Sequence, residues 1–170
     1  MGISRIRQTV LKQGEFAHAA GETYYGGSPL GINRSGELVL AKHGTLTATK
    51  TDSTAVSYVG VAMNPSAIDV NTKDRKTTFL PGPGVYTFTK NVVSDNNVTI
   101  NTHGTAGQLG DDYPYDTTLT WTAGDLLYID TAGLWTNVNP VSGDPCYGVV
   151  LEAGSSFITC LLYCGQAAVY

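Results

Sequence analysis

Hydrophobic positions along this chain recur with the two-residue spacing of β-strands rather than with the spacing of helices. The alternation is clear at residues 45–49 and 85–89, and the Pro-Gly-Pro-Gly stretch at 81–84 rules out a helix between strands. A strand places alternate side chains on opposite faces of its sheet, so each run can bury one face. The pattern predicts an all-β fold of short strands with no long helix.

The C-terminal part carries the most regular pattern. Residues 119–122, 126–130, 134–136, 146–151 and 157–164 form apolar segments that short polar or glycine-containing turns separate. Segments of this length and spacing predict a β-meander, in which successive strands pair and each buries one face. The expected architecture is a small domain resembling a β-barrel or a β-sandwich.

The chain divides into an N-terminal arm at 1–14 and a single β domain at 15–170. Residues 64–118 form a long central insertion, which is either an elaboration or a small β-subdomain. The arm carries Arg5, Arg7 and Lys12, with no acidic residue before position 15. One interpretation is a frayed, solvated terminus. The other is a basic, partly apolar arm that orders on a partner, which makes these three side chains the candidate partner-binding residues.

Composition excludes several classes of protein. Of the 170 residues 42% are hydrophobic and 14% charged, and the chain contains 22 Thr and 20 Gly. Disordered proteins have the opposite balance, and helical proteins have fewer strand and turn formers. The net charge of −4 argues against a nucleic-acid partner. No apolar run is long enough to span a membrane, and no signal core follows the N-terminus, so we expect neither membrane insertion nor secretion.

Candidate chemistry is sparse. The three cysteines, Cys146, Cys160 and Cys164, are too few and too clustered for a disulfide framework, and we interpret them as buried free thiols. The three histidines are far apart, so no metal or cofactor site is expected. The sequence contains no recognisable nucleophile, zinc or phosphate-loop motif. We therefore expect a binding or structural protein rather than an enzyme.

The two halves of the chain share a weak internal similarity. Residues 36–40 match 124–128, and residues 58–62 match 146–150, both at an offset of 88 positions. Two matches at one offset suggest a duplication. Two similar hairpins within one barrel are the alternative explanation.

The C-terminal segments together resemble the capsid decoration, or cement, proteins of tailed phages. The resemblance consists of a Gly-Asp-apolar strand, a turn with Gly, a Gly-Val-apolar strand, a break at small residues and a last apolar strand. In this chain it lies in residues 123–128, Gly133, 147–151 and 157–162, and residues 31–62 resemble the first half of the same family.

Membership of that family implies a small β-barrel-like protein that binds the outside of an assembled capsid and clamps neighbouring subunits without catalysis. We therefore expect a virion structural protein on the capsid exterior, synthesised in the host cytoplasm, whose partner is the major capsid protein. Family members are often trimeric, and a domain with few charges and many exposed Tyr and Thr suits subunit contacts. A homotrimer is expected.

The alternative function is a carbohydrate-binding or tail-associated β-sandwich module. In such a module aromatic side chains stack on sugar faces, and the candidates here are Tyr24, Tyr25, Tyr113, Tyr115, Trp121 and Trp135. The two tryptophans lie in alternating segments, which favours packing in the core or between subunits.

Overall fold

The computed structural model describes residues 16–17, 19, 24, 26–48, 51–62, 76–77, 79–81, 83–89 and 113–163. These ranges contain short strands and one four-residue helix, which confirms the predicted all-β fold. In chain order the elements are β1 (Phe16–Ala17), β2 (Pro29–Ile32), β3 (Leu38–Leu40), α1 (His43–Leu46), β4 (Ser57–Ala62), β5 (Lys76–Thr77), β6 (Phe79–Pro81), β7 (Gly84–Thr89), β8 (Leu126–Ile129), β9 (Trp135–Thr136), β10 (Gly148–Ala153) and β11 (Phe157–Leu162).

The strands form two main antiparallel sheets. One has the order β7-β11-β10-β8-β9, the other has the order β3-β2-β4-β6, and β1 pairs with β5 separately. Strands β6 and β7 come from the predicted insertion, and each is integral to one of the main sheets.

The predicted meander is wrong in one pairing, because β10 pairs with β8 and not with β9. The outer edge of β9 is already occupied by the segment before β8. There the Trp135 N–H donates to the Pro114 carbonyl at 3.0 Å, and the Asp116 N–H donates to the Trp135 carbonyl at 2.9 Å. With that edge filled, β10 takes the free edge of β8.

Two of the predicted strands are also absent. The first two residues of the predicted strand at 45–49 lie in the helix α1, and the Thr45 and Thr47 hydroxyls donate to backbone carbonyls three and four residues earlier, local bonds that compete with pairing to another strand. Residues 119–122 form a loop, in which the Thr122 N–H donates to the Asp125 carboxylate; just before it the Asp116 carboxylate accepts hydrogen bonds from the Thr118 N–H and hydroxyl. In both places a polar side chain forms hydrogen bonds with backbone groups a few residues away. These local bonds take the place of the backbone hydrogen bonds that would pair two strands.

One turn geometry closes both the β2–β3 and the β8–β9 hairpins. The Oδ1 atom of Asn33 accepts the backbone N–H groups of the residues two and four positions later, both at 2.9 Å. The Oδ1 atom of Asp130 accepts the equivalent pair, both at 2.8 Å. Gly36 and Gly133 follow at the same place in each turn with φ of 79° and 87°, a conformation that glycine adopts without steric strain.

Trp135 lies at the centre of the larger hydrophobic cluster. Its side chain is fully buried, and the rings of Tyr58, Phe88 and Tyr147 surround it at centroid distances of 6.1, 5.9 and 6.4 Å. Its indole Nε1–H donates to the Gly27 carbonyl at 2.8 Å. The cluster contains residues from both main sheets, which it joins. A smaller cluster, made of Tyr24, Leu30, Leu38, Leu40 and Ala62, lies on the opposite face of the four-stranded sheet.

The paired turns supply a matched stability test. Both Gly133→Ala and Gly36→Ala place a side chain at positive φ, which costs about 1–2 kcal/mol. A Cβ at position 133 would also lie 2.6 Å from the Leu40 side chain, whereas a Cβ at position 36 would meet nothing within 4 Å. We expect Gly133→Ala to lower the free energy of unfolding by about 1–3 kcal/mol more than Gly36→Ala does, measured by urea denaturation. Equal losses would contradict this packing of the turn.

Candidate interaction surface

The five-stranded sheet has one buried face and one outward face. Its buried face carries Phe88, Cys160, Val150 and Leu127, none of which is more than 4% exposed. Because side chains alternate along each strand, the residues between these point outward. The outward face is therefore the surface on which binding can occur.

Four apolar side chains lie in one row across the outward face, and we call them the outer row. The strand registers pair Val85 with Leu161, Leu161 with Val149, and Val149 with Leu126. The side chains at the two ends are 61% and 42% exposed, and the two in the middle are partly buried by these neighbours. The row crosses four strands without interruption.

Val138 continues the apolar row beyond Leu126. Strands β8 and β9 pair Tyr128 with Thr136; β9 ends there, and Val138 follows two residues later on the segment that runs past the start of β8. The side chain of Asn137 bonds the carboxylate of Asp125 at 2.8 Å, which holds this segment against the start of β8. Val138 is 54% exposed. The outer row and Val138 together form what we call the outer patch.

The next outward row is polar apart from Leu151, which lies at the bulge in β10 and is 46% exposed. The hydroxyl oxygens of Thr87 and Thr159 lie 3.1 Å apart, and Glu152 pairs with Thr159 across a bulge in β10. The patch itself contains only aliphatic side chains. It therefore has no group that could act as an acid, a base or a nucleophile, and it is suited to contact with another apolar surface.

The nearest approach to an acid–base pair lies elsewhere, at His43 and Asp144. The His43 Nε2 atom is 3.6 Å from the Asp144 Oδ2 atom, and the His43 N–H donates to the Asp130 carbonyl at 2.9 Å. The adjoining cavity has a volume of about 10 Å³, close to that of one water molecule. This pair fastens the start of α1 to the loop at Asp144.

The described part of the chain contains no group of three or more His, Cys, Asp or Glu side chains placed to bind a metal. Two of the three cysteines are described, Cys146 and Cys160, and both are buried free thiols. The Cys146 thiol donates to the Gly148 carbonyl at 2.9 Å. The third, Cys164, lies outside the described residues.

The aromatic residues considered for sugar stacking lie mostly in the interior. Tyr24, Tyr115 and Trp135 are buried. Trp121 and Tyr113 are half-buried against the Tyr115 ring, with centroids 5.8 and 5.2 Å from it. Tyr25 lies outside the described residues. Among the described tyrosines none is exposed, so the expected contact surface of exposed tyrosines is replaced here by an aliphatic one.

The three basic residues predicted to bind a partner, Arg5, Arg7 and Lys12, lie outside the described residues. The sequence reasoning did not identify the outer row. The sequence nevertheless contains a signal for the outer row, because Val149-Val150-Leu151 and Leu161-Leu162 place apolar residues at consecutive strand positions. Consecutive apolar residues put hydrophobic side chains on both faces of a strand, not on one.

Comparisons with known proteins place the chain in no family. A scan against family models, a search of curated proteins and a search of solved structures each found no match. Among the described residues, no helix has the length and hydrophobicity needed to cross a membrane.

Buried acidic groups predict how stability responds to alkaline pH. Burial raises the pKa of the Cys160 thiol from 9.0 to about 12, and desolvation likewise raises the pKa values of Tyr115 and Tyr147 from 10.0 to about 12. Above about pH 9 the unfolded chain loses these protons before the folded chain does, so stability must fall as pH rises. We expect the free energy of unfolding to decline between about pH 9 and pH 12.

Urea denaturation across this pH range measures the effect. The variant Cys160→Val removes one of the three groups, and its decline should be shallower than that of the wild type. An unchanged free energy of unfolding up to about pH 11 would contradict burial of these groups. We also expect chelators and reducing agents to leave the melting temperature unchanged, since the described cysteines are neither metal ligands nor disulfide-bonded.

Proposed function

We propose that this protein is a virion structural protein that binds the outside of an assembled phage capsid and stabilises contacts between capsid subunits. The observation that carries this proposal is the outer row, an exposed in-register band of aliphatic side chains on a β-sheet, which is suited to association with protein rather than to chemistry; the contact with the shell itself is assigned to the arm at 1–14. Exposed apolar surfaces of this kind mark sites of protein association. The outer row consists of aliphatic side chains, so it can bind another apolar surface but has no group that could act as an acid, a base or a nucleophile.

The resemblance to capsid decoration proteins supports the proposal from a second direction. Its segments contain strands β8, β10 and β11, which are neighbours in one sheet. Those three strands also contribute Leu126, Val149 and Leu161 to the outer row. The sequence similarity and the exposed surface thus coincide in the same part of the protein.

The arm at 1–14 is the proposed contact with the major capsid protein. It carries a charge of +3 in a chain whose net charge is −4, so it is the segment suited to acidic grooves on a shell. An extended arm can also add main-chain hydrogen bonds to an exposed strand edge. Each rim charge contributes about 0.2–1 kcal/mol, and several arms on one oligomer multiply the effect.

The carbohydrate-binding alternative has less support. Of its six candidate aromatic residues, three are buried and two are half-buried against the Tyr115 ring. Stacking on a sugar requires an accessible ring face. A sugar-binding module would bind glycans and ignore empty shells, whereas a decoration protein would do the reverse, so the same binding assays separate the two functions.

Deletion of residues 1–14 tests the role of the arm. We expect the truncated protein to keep its circular dichroism spectrum and melting temperature, but to co-sediment less with empty capsids. The remaining binding should depend less on salt, because three positive charges have been removed. Co-sedimentation at several salt concentrations measures both effects.

A full-length variant with Arg5→Gln, Arg7→Gln and Lys12→Gln separates charge from length. It should reproduce the change in salt dependence while keeping any contribution of the main chain. If the truncated protein binds shells as well as the intact chain does, the arm is not the capsid contact. If the truncated protein fails to fold, the segment is an integral part of the β domain.

A further inference from the structure

The two main sheets contain equivalent hydrogen bonds at equivalent places. At the start of β2, the Gly27 N–H donates to the Ala62 carbonyl and the Ala62 N–H returns a bond to the Ser28 carbonyl, at 2.8 and 2.9 Å. At the start of β8, the Gly124 N–H donates to the Val150 carbonyl and the Val150 N–H donates to the Asp125 carbonyl, both at 2.8 Å. These contacts join β2 to β4 and β8 to β10.

The strand registers agree as well. Leu30 of β2 is opposite Gly60 of β4, and Leu127 of β8 is opposite Gly148 of β10. Before each hairpin, a backbone N–H also donates to the carbonyl of the first residue of the second hairpin strand: Ala19 to Leu38, and Asp116 to Trp135, both at 2.9 Å.

The strand orders complete the correspondence. The order β3-β2-β4-β6 in one sheet matches the order β9-β8-β10-β11 in the other. The same turn closes both hairpins, at Asn33 and at Asp130, which are 97 positions apart. We infer that the chain contains two copies of one β unit, the first unit at 19–81 and the second unit at 116–162.

This correspondence corrects part of the sequence comparison. Gly60 and Gly148 are equivalent, as the offset of 88 required, but the equivalent of Gly36 is Gly133 rather than Gly124. The interval from Gly36 to Gly60 is nine residues longer than that from Gly133 to Gly148, because the first unit contains α1 between the hairpin and the next strand. A single offset therefore cannot align both blocks.

The outer patch has an equivalent in the first unit, and there it is covered. Pro29, Ala41 and Val61 occupy the places that Leu126, Val138 and Val149 occupy in the second unit. Pro29 and Ala41 are fully buried, and Val61 is 2% exposed.

The second unit itself covers that face. Ala41 and Val61 belong to the same cluster as Leu127, Ile129 and Trp135 on the inner face of the second unit. This face of the β unit is thus the one by which a unit packs against another unit. In the second unit the same face remains apolar but exposed.

We propose that the outer patch binds a second copy of this chain, patch against patch. The side chains of the patch are all uncharged, so copies with a net charge of −4 can approach there without direct like-charge contact. The large hydrophobic side chains exposed in the described residues are Val85, Leu126, Val138, Val141 and Leu151. Three of these five belong to the patch, so the best apolar complement that a second copy offers is its own patch.

This self-association does not depend on the proposed function, because it needs no capsid. The test compares the wild type with the double variant Val85→Ser and Leu126→Ser by light scattering of the full chain without shells. We expect the wild type to scatter as twice its chain mass and the double variant as a monomer with unchanged circular dichroism. The matched control is Val141→Ser, since Val141 is 56% exposed and lies outside the patch.

Cross-linking gives a second, independent measurement. Val149→Cys, at the centre of the patch and so nearest the two-fold axis, should form a covalent dimer under mild oxidation, above the background of the wild type, whereas Val141→Cys should not. A monomeric wild type at high concentration, or cross-linking equal at both positions, would overturn the proposal. Capsid co-sedimentation of the wild type reports on the decoration function separately, so a self-associating protein that ignores shells would refute only that function.

Discussion

Trp135 joins the two β units, and the remaining architecture depends on how its indole ring is packed and on which group accepts a hydrogen bond from its N–H. A buried indole requires both a close-packed surrounding and an acceptor for its N–H. Three rings of the cluster provide the packing, and the carbonyl of Gly27 provides the acceptor. That carbonyl lies in the loop that leads into β2, whereas Trp135 begins β9. A single side chain therefore fixes the approach of the first unit to the second.

The same contact explains why the two units differ although they share a topology. At the place equivalent to Trp135 the first unit has Leu38, which belongs to the smaller cluster. The first unit has no ring at this place, and the packing runs in one direction, with the outer face of the first unit on the inner face of the second. A packing of this kind leaves one outer face uncovered. The exposed aliphatic patch follows from that asymmetry.

The titratable groups that the structure describes lie outside the exposed patch. The titratable groups that lie together, His43 and Asp144, brace a helical turn beside a cavity of about 10 Å³. Cys160 and Tyr147 lie on the buried side, where desolvation raises the pKa of each to about 12 and keeps them protonated. These two titratable side chains are buried, whereas the exposed patch carries only aliphatic side chains.

The fold class and most strands were predictable from the sequence, because the alternation of apolar residues and the glycine and proline turns are local signals. The strands at 85–89, 126–129 and 157–162 lie where the pattern predicts them. Predictions failed where a side chain competed for the backbone, at the threonines of α1 and at Asp116. Such competition depends on whether a strand partner is present, and a linear pattern does not contain that information.

By itself, the sequence determined that the chain builds sheets, where many of its strands begin and end, and which turns close them. Only the tertiary structure decided which strands pair and which apolar face is covered. Val61 and Val149 are the same residue type at equivalent places, yet one is buried between units and the other lies on the surface. The difference comes from what packs above each of them, which is a long-range property of the folded chain. For that reason the candidate interaction surface appears only once both units are in place.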